Sequence, residues 1–225
     1  MRESDRIKED WDMPEKRLRK AWVAISAGAA LAAEAEAAAN EAVDDLVARI
    51  RDKNDKVRGE AWQNAGRFGA PAVKPLAAVM SDEDFEIARA AKRGLWKIVR
   101  HVGRPGADSE RKAVVAELIS LLKDARPVAV RREVIWMLSE IAGDEAVGPV
   151  AALLSDEELR EDSRMVLERL PGEKSLSALK RGLETVPEKF KINIVQSLRA
   201  RGVKVAGFPC RKLVPTRNTD LKPVG

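Results

Sequence analysis

Few residues in this chain could do acid–base, nucleophilic or metal chemistry. Among its 225 residues, His101 is the only histidine and Cys210 the only cysteine, and there is no tyrosine. One cysteine makes no internal disulfide and no cysteine-rich zinc site. One histidine excludes paired-histidine metal motifs and any site needing two imidazoles. His101 stands beside Arg100 with Arg104 close behind, a setting in which an imidazole could bind an anion or donate a proton; a solvated histidine at a helix end has the same surroundings. Cys210 lies between Pro209 and Arg211, where basic neighbours favour a thiolate and where a small apolar residue would sit equally well. There is no glycine-rich phosphate loop, no nucleophile elbow, and no triad that can be built without His101. The reading is therefore of no catalytic residue, no metal ligand and no cofactor.

The residues that do fall into a pattern are aromatic and charged. Trp62, Trp96 and Trp136 each stand seven places before a glycine: Gly69, Gly103 and Gly143. A basic residue recurs at five matched positions, Arg58, Lys92, Arg131, Arg160 and Lys191, and an aspartate at four, Asp52, Asp82, Asp124 and Asp156. A basic stripe could grip acidic partners or phosphates. Because both signs recur in step, the expectation is an intramolecular ladder, each cation pairing with the aspartate of its own or the neighbouring loop. Such pairs contribute about 0–1 kcal/mol each when exposed.

These side chains are positioned by a helical repeat. Five segments carry apolar residues at offsets 0, 3 and 7: Val43-Leu46-Ile50, Val73-Leu76-Met80, Val115-Leu118-Leu122, Val147-Val150-Leu154 and Leu176-Leu179-Leu183. Each is followed by a second segment with offsets 0, 4, 8 and 11, from Val57-Ala61-Ala65-Phe68 through Ala91-Leu95-Val99-Val102 and Val130-Val134-Leu138-Ile141. The pattern weakens at Ser163 in Leu159-Ser163-Leu167-Leu170 and at Arg201 in Phe190-Ile194-Leu198-Arg201. At about 100° per residue these offsets put one apolar stripe on each of two helices. Glycine follows each second helix (Gly69, Gly103, Gly143, Gly172, Gly202), where it tolerates the left-handed conformation that closes a helix. Hairpins this short cannot bury their faces alone and must stack, which predicts an all-α solenoid of about five hairpins. The third hairpin starts late, predicting an inserted loop over His101–Ser109.

On the same rule, Trp62, Trp96 and Trp136 point about 105°, 105° and 155° away from the buried stripe. They fall on the flank or back of the second helices, with Met165 and Val195 continuing the row. Two readings are open: an aromatic binding stripe, or packing between successive hairpins.

The motif Val-x-x-Leu-x-x-x-Leu-x-Asp, with Val-Arg opening the next helix at Val57-Arg58 and Val130-Arg131, resembles the short HEAT-like repeat of the bilin-lyase type, over residues 43–202. That resemblance implies a right-handed α-solenoid, second helices lining a concave surface, and mainly protein–protein scaffolding. It also implies minority activities, as bilin lyases, DNA glycosylases and iron hydroxylases; the last need several His-Glu pairs, and His101 stands alone. The expected function is a non-enzymatic scaffold that binds a protein through its concave surface at Trp62, Trp96, Trp136 and Met165. The alternatives are a nucleic-acid-binding or glycosylase-like protein and a chromophore lyase-like one.

Residues 1–42 read as a charged N-terminus and an Ala-rich capping helix, 43–202 as the repeat domain, and 203–225 as an extended tail. Pro209, Pro215 and Pro223 forbid a long helix in that tail. Phe208, Leu213 and Val214 could fold back over the last hairpin, or the tail could be a free basic arm. No apolar run reaches the roughly 18 residues of a membrane span. The basic cluster Lys16–Lys20 and the apolar run Ala21–Ala33 have the outline of an export signal, so a cytoplasmic location is expected with export through the segment Met13–Ala39 as the alternative. Of the net charge of +5, +4 sits in the tail, where Lys204, Arg211, Lys212, Arg217 and Lys222 face only Asp220. Near-neutral repeats make nucleic acid an unlikely partner; oligomeric state is not readable.

Overall fold

The computed structural model describes residue 34, residues 36–123 and residues 126–210. The charged N-terminus, the run Ala21–Ala33, Asp124 and the tail beyond Cys210 lie outside the described residues. The chain divides into two compact units, Met1–Asp45 and Leu46–Gly225. In the first, residues 36–45 are helical and Val43 is buried. The second contains the repeats.

With α1 taken as residues 36–50, the helices that follow are α2 (Asp55–Asn64), α3 (Val73–Val79), α4 (Phe85–Val102), α5 (Asp108–Leu122), α6 (Val128–Ile141), α7 (Asp144–Ala152), α8 (Arg160–Arg169), α9 (Glu173–Thr185) and α10 (Glu188–Ala200). No strand occurs among the described residues. The main contacts join helices that are adjacent or next-but-one along the chain: α3 to α4 and α5, α4 to α5 and α6, α6 to α8, α7 to α9, α8 to α10. The second unit is therefore an α-solenoid with two layers. First helices α3, α5, α7 and α9 form one layer and second helices α2, α4, α6, α8 and α10 the other.

The apolar offsets account for the core. Leu46, Ile50, Val73, Leu76, Val115, Leu118, Val147 and Val150 are buried from the first helices, and Ala91, Leu95, Val99, Val134, Leu138, Leu167, Ile194 and Leu198 from the second. In α9 the pattern slips: Leu176 and Leu183 are only half-buried, while Ser175, Ala178, Leu179 and Gly182 are buried. This helix is the last of its layer among the described residues, and its main contacts are with α7, α8 and α10.

Three of the recurring aspartates shape the loop inside their hairpins. Asp52 accepts from the Asn54 amide (2.7 Å), Asp82 from the Asp84 amide (3.1 Å) and Asp156 from the Glu158 amide (2.9 Å). Each is the same side-chain turn, which aspartate favours because its carboxylate reaches the amide two residues on. The second helix then starts at its own cap. Asn54 accepts from the Lys56 amide, and Asp84 from those of Glu86 and Ile87; α6 and α10 follow Pro127 and Pro187, whose fixed φ suits a helix start.

The inserted loop expected over His101–Ser109 is shorter than expected, because both of its ends are helical. His101 and Val102 complete α4, Asp108 and Ser109 open α5, and only residues 103–107 connect them. The extra length lies in two long helices, of 18 and 15 residues. Gly103 and Gly143 accordingly keep negative φ (−74° and −117°), against the expectation of left-handed closure. Gly202 does adopt positive φ (81°), and the Val203 amide reaches back to the Leu198 carbonyl (2.9 Å), which closes α10 in the Schellman manner.

Candidate functional site

The second-helix layer brings the tryptophans into one row, and each is half-buried. Two of them have their polar edges tied to the following hairpin. Trp96 Nε1 donates to Glu133 (3.1 Å), which also takes Lys92 Nζ (3.1 Å). Trp136 Nε1 donates to Asp162 (3.0 Å), which takes Arg132 Nε at 2.7 Å. Among the described residues Trp62 has no such acceptor, because the position matching Glu133 and Asp162 is Gly94; Arg93 and Lys97 lie over its ring instead, at 5.3 and 5.7 Å from the centroid. Arg100 lies over Trp96 at 5.6 Å. The indoles thus serve contact between hairpins and keep part of each ring exposed.

Glu133 and Asp162 went unread in the sequence, although both fall three residues after the first core position of their helices, as does Asn193, which donates to Glu161 (3.1 Å). Removal of the Asp162 carboxylate, 7% exposed, leaves the Arg132 and Trp136 donors facing protein. Asp162→Ala should cost about 2 kcal/mol and Asp162→Asn about 1 kcal/mol, read by urea denaturation. Equal losses for the two would show that the amide cannot replace the carboxylate as an acceptor for the indole.

Met165 is exposed (37%) and Val195 is fully buried, so the apolar row stops at α8. Phe85, at the start of α4, is the other large apolar side chain exposed among the described residues, at 71%. Nothing in the repeat pattern marks it as a site residue. Beside it a groove of about 300 Å³ opens between α4 and α6, lined by Phe85, Arg89, Lys92, Ala129, Val130 and Glu133.

The recurring cations take mixed partners. Arg131 reaches Asp156 of the next hairpin at 3.6 Å. Arg58 binds the Asp52 carbonyl (2.6 Å) and the Asp55 carboxylate. Lys92 meets Glu133, Arg160 meets Glu157 (3.2 Å) and Lys191 meets Glu188 (2.8 Å). Asp82 pairs with Arg51 at 2.9 Å. Glutamates answer Lys92, Arg160 and Lys191, and aspartates answer Arg58 and Arg131; the loop aspartates already spend an oxygen on their own turns.

His101 is exposed at the end of α4, and its Cβ lies against Gly66, where an added Cβ would come within 3.1 Å. Arg104 donates to the His101 carbonyl and to Glu110 (both 2.7 Å). That bond holds the Glu110 carboxyl below the usual carboxylate range. Cys210 is free and exposed. Phe208 is half-buried, and Arg199 holds the tail by the carbonyls of Val205 (3.2 Å) and Phe208 (2.6 Å). Among the described residues no group of three or more His, Cys, Asp or Glu could hold a metal ion, and no helix is long and apolar enough to cross a membrane.

No protein-family model matches the chain, and no curated protein matches its sequence. Solved structures similar to it include a designed armadillo repeat protein in complex with the peptide (KR)4, at 21% identity and a TM-score of 0.41, over 71% of this chain and 82% of that one. An engineered protein from a structural genomics consortium is similar at 19% identity and a TM-score of 0.39, over 70% and 76% of the two chains. At such scores the repeat architecture stands on the helix packing itself. It is a helical repeat protein.

Proposed function

We propose that this chain is a non-enzymatic scaffold of HEAT-like repeats, which binds a protein partner along its second-helix layer through Trp62, Trp96, Trp136 and Met165, with Phe85 added to that set. One observation carries the reading. Both large apolar side chains exposed among the described residues, Phe85 and Met165, stand on second helices, in the same layer as the half-exposed indoles. Exposed apolar and aromatic groups gathered on one face are the composition of binding hot spots. In the described core, charged groups are met by opposite charges or carbonyls, as in a structural network rather than a reaction centre.

Phe85 and Met165 can be changed without opening the core. Affinity capture from the native cell should lose its specific partners with Phe85→Asp/Met165→Asp and keep them with a first-layer control, Lys112→Asp/Ser177→Asp, both variants melting within a few degrees of the parent. Unchanged capture by the second-layer variant would overturn the proposal.

A further inference from the structure

We infer that the exposed face of α4 is a docking site for an acidic, extended segment of a partner protein, anchored at one end by an apolar residue beside Phe85. This rests on the scaffold reading above and gives its partner a chemistry. The near-neutral repeat domain hides a local excess. Helix α4 alone carries Arg89, Lys92, Arg93, Lys97 and Arg100 against one carboxylate, Glu86. Their spacing puts them on a face away from the buried stripe of Ala91, Leu95, Ile98, Val99 and Val102.

Two of the five are already answered, Arg89 by Glu86 and Lys92 by Glu133. Arg93, Lys97 and Arg100 have no carboxylate within 4.0 Å among the described residues and lie over indole rings. Helix α8 of the same layer shows the contrast. Its Arg160, Arg164 and Arg169 all meet carboxylates.

Stacking does not consume these cations. A guanidinium over an aromatic face keeps its N–H donors at the edge of its plane, free for bidentate carboxylate binding. The indoles also restrict the long side chains before a ligand arrives, which lowers the entropy lost on binding. The spacing fits an extended peptide. Arg93 and Lys97 are about 6 Å apart along the helix axis, and Arg93 and Arg100 about 10 Å. Carboxylates two and three residues apart in an extended chain are separated by about 7 and 10 Å. Phe85 and its groove lie about 12 Å from Arg93 along the same helix, so an apolar residue three or four places from the first acid reaches it.

Single-stranded nucleic acid would want open aromatic faces for its bases. Trp62 is overlain by Arg93 and Lys97 and Trp96 by Arg100, which favours carboxylates as ligand.

The test uses the purified full chain and three fluorescein-labelled probes: a twelve-residue peptide with one Phe followed by Glu at alternating positions, the same peptide with Gln for Glu, and a dT12 oligonucleotide. By anisotropy at low salt, the Glu peptide should bind and the Gln peptide should not. Arg93→Gln/Arg100→Gln should weaken the Glu peptide about tenfold, the sum expected for two exposed ion pairs, with the melting temperature unchanged. Failure of the Glu peptide to bind, equal binding of the Gln peptide, tighter binding of dT12, or indifference to the double substitution would each overturn the inference. If the Glu peptide fails while capture still depends on Phe85 and Met165, the layer remains a docking surface and only the acidic chemistry is wrong.

Discussion

Arg164→Met is expected to destabilise the C-terminal half of the solenoid by about 3 kcal/mol, the low end of the range for removing one partner of a buried ion pair. The Arg164 side chain is 3% exposed and its guanidinium is shared among three groups. Nε and Nη2 bind Glu161 in the bidentate manner (3.0 and 2.6 Å), and Nη1 binds Glu168 (2.9 Å) and Ser197. Ser197 donates onward to Glu168 (2.7 Å) and Asn193 to Glu161, so one cation joins α8 to α10. Without it, two partly buried carboxylates are left close together, and methionine fills the volume but neutralises neither. Because the harm lies in the unmatched carboxylates, the triple variant Arg164→Met/Glu161→Gln/Glu168→Gln should recover at least half of the loss. Hydrogen exchange in α8 and α10 reads both effects locally, which suits an array whose stability is a sum of neighbour terms. A loss below about 1 kcal/mol, or no recovery in the triple variant, would show that the network contributes little.

Arg201→Ala should cost about 2 kcal/mol, concentrated in the last hairpin. Arg201 holds the apolar-stripe position of α10, where the repeat pattern had seemed to degrade. Its guanidinium instead reaches across to the end of α8 and the start of α9, donating to the carbonyls of Leu167 (3.1 Å), Leu170 (2.9 Å) and Gly172 (2.8 Å) and to Ser175 Oγ (2.7 Å). The last carbonyls of a helix lack partners within it, and a cation there also meets the negative end of the helix dipole. Charge-assisted bonds of this kind contribute about 1.5–3 kcal/mol. Arg201→Lys should keep roughly half of the effect, since an ammonium cannot span four acceptors as a planar fork does. Faster amide exchange in α9 and α10, with α4 and α5 unchanged, is the expected result. A uniform change along the chain, or none, would contradict the staple.

The same two arginines show how far the sequence could be read. Apolar offsets placed the helices and their buried faces because helical periodicity is local: a side chain's direction follows from its place in the turn. The slips also had local causes. The long spacing before α5 was absorbed by extending helices, and Leu176 and Leu183 lost burial where the described layer ends. Charge pairing was not legible in this way. Asp52, Asp82 and Asp156 recur like rungs, but each carboxylate satisfies an amide two residues on, and the cations that Asp82 and Asp156 meet, Arg51 and Arg131, come from the preceding hairpin. Arg131 finds Asp156, while Lys92 finds Glu133.

The tryptophan row divides along the same line. Helical phase alone placed Trp62, Trp96 and Trp136 off the core, which is as far as a single helix can determine. What each indole meets depends on the rise and rotation between successive hairpins. That step sets Glu133 against Trp96 and Asp162 against Trp136, and Gly94 at the matching position leaves Trp62 beneath Arg93 and Lys97. Burial of an apolar stripe is demanded by the residues within a helix, whereas the partner of a polar or aromatic edge is supplied by a helix some thirty residues away, and only packing fixes the distance between them.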